Sequence, residues 1–293
     1  MSGEYPRSSR GARAKPDAPA AHPCSRREST IMRKTLIVGN WKMHLNTMQA
    51  SILVHRLQER IRIYRDVEVV LAPSMLVLQP LSLQIDRRKF RLAAQNAYFK
   101  DEGAFTGEVS FTMLRELVHY VIVGHSERRL LFGETLSDVS EKIAASVRNG
   151  ITPILCVGET KAERLAKHSK RVVHDQVVTG LKHLTAQEVE DVVIAYEPIW
   201  AISTFGGELA KPDQAKEMMD YIRMQISELY GKKVAKNIRI LYGGSVDDQT
   251  AHGYLALEGC DGALVGGASI NYHKFSGVVD TAYRIKRVLM DAS

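Results

Sequence analysis

Val193-Ile194-Ala195-Tyr196-Glu197-Pro198-Ile199-Trp200 is an apolar run that ends on one carboxylate and a proline. Consecutive apolar side chains, with no polar residue alternating between them, suit a parallel strand covered on both faces. Pro198 disfavours helical backbone at the residue before it, so Glu197 stays extended at the strand's carboxyl end and its side chain keeps a defined direction. A general base needs that. A lone Glu-Pro is more often a surface residue closing a strand, so its meaning depends on what the rest of the chain brings beside it.

Similar short runs recur on both sides of it, at 35–39, 67–72, 91–95, 120–124, 152–157, 192–196, 238–242 and 262–265. Segments with helical spacing lie between them, among them 48–64, 137–148 and 213–230. In the last, Met218, Met219, Ile222, Ile226 and Leu229 recur every three to four residues as a core-facing stripe, and Gly150 and Gly231 stand where helices end. Eight strand-helix alternations predict an α/β fold, a closed (β/α)8 TIM barrel in a single domain spanning residues 32–293, ahead of a doubly wound open sheet. Right-handed crossovers then bring every strand's carboxyl end to one face.

The 293 residues are 45% hydrophobic and 25% charged, ordinary values for a soluble globular chain. No apolar run approaches the roughly 18 residues of a membrane span, so no membrane association is expected. Cys24, Cys156 and Cys260 are odd in number and widely separated, without metal-ligand spacing, which predicts a cytoplasmic protein with no disulfide framework and no metal. Cys156, inside an apolar run, reads as a buried small hydrophobe. Of the net charge of +7, residues 1–34 carry +5, from eight basic against three acidic residues. The remainder is nearly balanced, so no nucleic-acid partner is expected. Residues 1–31, rich in Ser, Arg, Ala, Pro and Gly, are expected to be a disordered basic extension. Two origins stay open for it: a transit peptide, opposed by Glu4, Asp17 and the prolines, or an upstream start codon ahead of a true start at Met32.

The residues that follow the strands carry the chemistry. They are Gly39-Asn40-Trp41-Lys42-Met43, Gln95-Asn96, Gly124-His125-Ser126-Glu127-Arg128-Arg129, Gly158-Glu159, Glu197-Pro198, Gly243-Gly244-Ser245 and Gly266-Gly267-Ala268-Ser269. Each alone has a bland reading, but together they converge on one barrel mouth. Paired glycines let backbone N–H groups approach an anion, and the last two strands are where barrels often hold phosphate. Lys42 adds a full positive charge for a small phosphorylated ligand. His125 opens a helical pattern, where the dipole favours a neutral ring. With Glu197 as base, that equipment moves a proton between carbons next to a carbonyl. No dinucleotide fingerprint is present, and no cofactor is required.

In these runs, together with Tyr196 to Ala201 and Tyr242 to Ser245, the chain from about Met32 onward closely resembles the triosephosphate isomerase family. The resemblance implies interconversion of dihydroxyacetone phosphate and glyceraldehyde 3-phosphate through an enediolate, a step of glycolysis and gluconeogenesis. It assigns Glu197 to the proton, His125 to the substrate oxygens, and Lys42 and Asn40 to binding. Ser203, Ser245, Gly266 and Gly267 would contact phosphate, with Glu127 and Tyr242 in support and 199–205 in a closing lid. The Gln95 to Ser110 loop resembles the arm that reaches a neighbouring subunit, with Thr106 bracing the partner's site in a homodimer. Where the family usually reads Ala-Ile-Gly-Thr-Gly in the lid, this chain has Ala201-Ile202-Ser203-Thr204-Phe205-Gly206-Gly207, and His44 stands where Asn is common. The altered lid motivates an alternative, an isomerase of a larger ketose phosphate such as a tetrulose phosphate. A catalytically inactive phosphate-binding barrel is another. Nucleic-acid binding through the basic tail is the remaining one, and it predicts steeply salt-dependent affinity that is lost on deleting residues 1–31.

Overall fold

Short β-branched runs flanked by turn residues become strands, each within one residue of its expected limits: β1 Thr35–Asn40, β2 Val67–Ala72, β3 Phe90–Ala94, β4 Tyr120–Val123, β5 Thr152–Val157, β6 Val193–Tyr196, β7 Arg239–Tyr242 and β8 Gly262–Val265. The computed structural model describes residues 33–202, 204 and 208–291. The 1–31 extension and the lid residues Ser203 and Phe205 lie outside the described residues. Each strand pairs in parallel with the next and β8 returns to β1, so the sheet is a closed barrel with helices around it. Across β5, β6 and β7 the register aligns Cys156, Ala195 and Leu241.

Period-two alternation divides the apolar runs. Leu36, Val38, Val70, Ala72, Ile122, Ile154, Cys156, Val193, Ala195 and Leu241 form one cluster that fills the barrel. Their sequence neighbours Ile37, Val69, Leu71, Val121, Ile194 and Ile240 belong to the larger cluster shared with the helices. Each such side chain, fully buried, contributes about 1.5–3 kcal/mol. Because both faces are apolar, charged residues enter only at the first or second position of a strand, at Glu68, Arg91 and Arg239. Cys156 is a wholly buried free thiol inside this filling.

The helices follow their patterns with two corrections. Thr47–Arg60 opens on an Asn46–Gln49 capping box but ends four residues before the expected limit. Ile61 turns extended (φ −85°, ψ 123°) and buries its side chain completely, so residues 61–66 become the lead into β2. In Pro212–Tyr230 the residues Met218, Met219, Ile222 and Ile226 are buried, whereas Leu229 is 45% exposed. Leu229 falls in the final turn before Gly231, which leaves the helix with φ +93°, and in that turn it is Tyr230 that packs against the core. Gly150 likewise takes φ +71° after Leu136–Arg148. No described helix is long and apolar enough to cross a membrane.

Candidate active site

The carboxyl ends of the strands open into a cleft of about 440 Å³ lined by Asn40, Lys42, His125, Glu197, Ser245 and Gly266, with Gly267 beside them. Asn40 ends β1 and is buried, and its Oδ1 accepts the Lys42 backbone N–H at 3.1 Å. That turn holds Lys42 at φ +53°, a conformation that costs a side-chain-bearing residue about 1–3 kcal/mol. Gln95 braces it by donating from Nε2 to the Lys42 carbonyl at 2.8 Å and to the Ala72 carbonyl at 2.9 Å. The ammonium then points into the cleft and pairs with Glu127 Oε1 at 2.5 Å. The bracing role of Gln95 had only one sequence signal, its place directly after a strand. His44 is exposed, away from this arrangement.

His125 caps the helix Ser126–Leu131, and its Nδ1 accepts the Glu127 backbone N–H at 3.2 Å. With Nδ1 accepting, the ring presents its hydrogen on Nε2. Nε2 lies 3.0 Å from Glu197 Oε1 and donates to it. The other carboxylate oxygen of Glu197 accepts the Ser126 N–H at 3.0 Å. Burial pushes the Glu197 carboxyl up, but the His125 ring, the Arg129 guanidinium and the Ser126 N–H outweigh burial and leave it below its ordinary value. Of these, the donated hydrogen bonds and the Arg129 charge favour the anion whether or not the ring is protonated. Arg129, whose role the sequence did not disclose, donates to the Gly124 and Cys156 carbonyls and to the Gly158 carbonyl at 3.3 Å.

A carboxyl with a lowered folded value adds stability above its ordinary value and loses it as pH falls through the lowered one. Glu197 is therefore ionised across the neutral range. In the unliganded protein its carboxyl carbon, followed by NMR with assignment through Glu197→Gln, should titrate below 4.5, the ordinary value for Glu. A midpoint above it would reverse this reading.

The segment after Glu197 is anchored from the end of β5. Glu159 is completely buried and accepts the Trp200 indole N–H at 2.9 Å and the Tyr196 hydroxyl at 3.2 Å. Arg164 reaches the same carboxylate at 3.5 Å while its guanidinium lies 4.2 Å over the Trp200 ring. These contacts hold the Ile199–Ala201 turn that follows Glu197. Past it, Thr204 Oγ1 donates to Glu127 Oε1 at 3.3 Å. Gly158 has no side chain because there is no room for one: a Cβ there would lie 1.7 Å from the Glu197 carbonyl oxygen. Gly158→Ala should thus push Glu197 aside, lowering kcat and destabilising the fold by about 1–3 kcal/mol. Steady-state kinetics and thermal unfolding of the variant check both, and wild-type values in each would refute the packing argument.

The glycine turns after β7 and β8 differ in the room they leave. A Cβ on Gly244 would sit 2.2 Å from the Tyr242 hydroxyl, whose ring stacks on Tyr254 at 4.0 Å. Gly267 has nothing within 4 Å of the position a Cβ would take. Ser245 Oγ donates to the Ala201 carbonyl at 3.0 Å, tying the turn after β7 to the turn after β6. Asn271 and Lys274, which the sequence did not single out, also line this side. Thr106 is exposed and lines neither this cleft nor its neighbour.

A family model described as triosephosphate isomerase matches residues 35–282. The triosephosphate isomerase of Carboxydothermus hydrogenoformans is 44% identical over 249 residues, covering 85% of this chain and 98% of the relative. That of Clostridium tetani is 45% identical over 251 residues, covering 85% and 97%. That of Trichlorobacter lovleyi is 42% identical over 249 residues, covering 85% and 98%.

Proposed function

The chain belongs to the triosephosphate isomerase family and is an aldose-ketose isomerase interconverting dihydroxyacetone phosphate and D-glyceraldehyde 3-phosphate, and from that premise we propose how its residues divide the reaction. Glu197 removes a proton from carbon 1 of the ketose, and the C–H electron pair forms the C1–C2 double bond as the carbonyl pair moves to oxygen. The carboxylic acid so formed returns the proton to carbon 2, which completes the aldose. The neutral His125 ring donates from Nε2 to the oxygen that gains charge and exchanges the hydroxyl proton between the two oxygens. Lys42 and Asn40 bind the substrate and the charge that develops on it.

One observation carries this reading, the 3.0 Å contact between His125 Nε2 and Glu197 Oε1. Without substrate the donor that the substrate oxygen needs is occupied by the base itself. An arriving carbonyl oxygen takes the Nε2–H, and Glu197 turns toward carbon. Ser245, Gly266 and Gly267 hold the phosphate, joined by Ser203 of the lid, with Glu127 and Tyr242 in support. Lid closure excludes water from the enediolate. A coupled assay with glyceraldehyde 3-phosphate tests the activity, and comparing kcat/KM for three- and four-carbon ketose phosphates tests the substrate size. Tight binding of phosphoglycolate without turnover would favour the inactive barrel instead.

Residues 32–293 are the catalytic domain on this reading, and a reducing cytosol suits the two free thiols Cys156 and Cys260. A homodimer forms through the Gln95 to Ser110 loop, with Thr106 reaching the partner's site. A second cleft beside the first supports it, lined by Lys42, Met43, Gly107, Glu108, Glu127 and Phe132. Met43 is 94% and Phe132 70% exposed there, an apolar rim suited to a second copy. Sedimentation should give twice the 32.7 kDa chain mass, and a monomer at micromolar concentration would sink the proposal.

A further inference from the structure

At the opposite end of the barrel, where residues 61–66 lead into β2, the helix Tyr272–Asp291 forms one wall of a cleft of about 660 Å³. Five of its lining residues are arginines: Arg60, Arg62, Arg65, Arg284 and Arg287. Only two carboxylates, Asp66 and Asp280, face them, which leaves an excess of three positive charges. Asp280 is partly committed, accepting the Tyr64 hydroxyl at 2.6 Å. Arg60 spends its Nε on the Ser276 hydroxyl at 2.7 Å. The side chains of Arg62, Arg65 and Arg284 make no hydrogen bond or ion pair among the described residues.

Like charges gathered in a concavity repel one another and focus a positive field there. Every cation in the cleft is Arg and none is Lys. The guanidinium fork matches two phosphoryl oxygens at once, whereas an ammonium acts as a point charge. Tyr64 and Tyr283, stacked at 4.4 Å, supply a rigid wall between the two basic segments. We propose that this cleft binds a compact soluble oligophosphate, gripped chiefly by Arg62, Arg65 and Arg284, at a site separate from the catalytic one.

The test titrates inorganic triphosphate calorimetrically into the full-length enzyme at low salt, with phosphoglycolate filling the catalytic cleft. Wild-type enzyme should bind, and Arg62→Ser/Arg284→Ser should bind on the order of tenfold more weakly or worse, at two lost bidentate contacts. Its kcat, KM and melting temperature should stay unchanged, because both side chains are exposed and unpaired. Arg62→Lys/Arg284→Lys keeps the charge without the fork and should fall between the two. Arg87→Ser/Arg115→Ser, removing equal charge elsewhere on the surface, should bind as wild type. No heat from wild-type enzyme, or equal weakening in both Ser double variants, would overturn the proposal. So would an arginine-dependent affinity for a single-stranded RNA oligonucleotide without one for triphosphate.

Discussion

Glu197→Gln should lower kcat by on the order of 10²-fold or more while KM hardly moves. Gln has nearly the same volume, and its single amide oxygen can keep one of the His125 and Ser126 donors, which now lie 3.0 Å from separate carboxylate oxygens. The cleft therefore survives the change. What disappears is the anion that accepts a proton from carbon, and a hundredfold loss corresponds to about 2.7 kcal/mol of barrier. Steady-state kinetics in both directions, with solvent-deuterium incorporation into substrate as a separate readout, measure the effect. Turnover near that of the wild type would remove Glu197 from the role of base.

Lys42→Ala should cut kcat/KM by on the order of 10²-fold, with the larger part in KM. Two unit charges at 4 Å attract by about 4 kcal/mol at an effective dielectric constant near 20, enough for a loss of that size once solvent replaces part of the interaction. The substitution also strands Glu127, which now accepts from the ammonium at 2.5 Å. An uncompensated carboxylate beside an incoming phosphate dianion adds repulsion to the lost attraction. Lys42→Ala/Glu127→Gln should accordingly recover part of the KM, a pattern that a general loss of folding would not produce. Unchanged KM and kcat in the single variant would show that the ammonium does not meet substrate.

Much of the site could be read from residue order. Glu197 before Pro198, His125 at a helix start, and glycine pairs after β7 and β8 are local features, set by one or two backbone dihedrals and by which strand end they follow. The barrel mouth then collects them, because parallel strands joined by right-handed crossovers all end on the same side. The bracing residues were not legible in the same way. Gln95 reaches Lys42 from 53 positions away, Arg129 ties the ends of β4 and β5 together, and Glu159 meets Trp200 across 41 positions. Nothing in the spacing of these residues marks such partners, since a contact across strands depends on register and on closure.

The helix limits show the same division. Hydrophobic periodicity carried the first helix on to Tyr64, but Ile61 finds a fully buried place only by leaving the helix. That choice belongs to packing against the barrel. It is also what gathers Arg62 and Arg65 into one cleft with Arg284, which lies more than two hundred residues later.

By itself the order of amino acids determined the number and place of the strands, the fold class and which carboxylate, imidazole and ammonium line the barrel mouth. Those follow from local conformational preference and from apolar runs that must be covered on both faces. Only the folded chain decided which apolar side chains fill the barrel, which nitrogen of His125 carries the proton, and how burial and neighbouring donors set the charge of Glu197. Burial and electrostatic environment are properties of what surrounds a residue in space, and closing the barrel creates those surroundings.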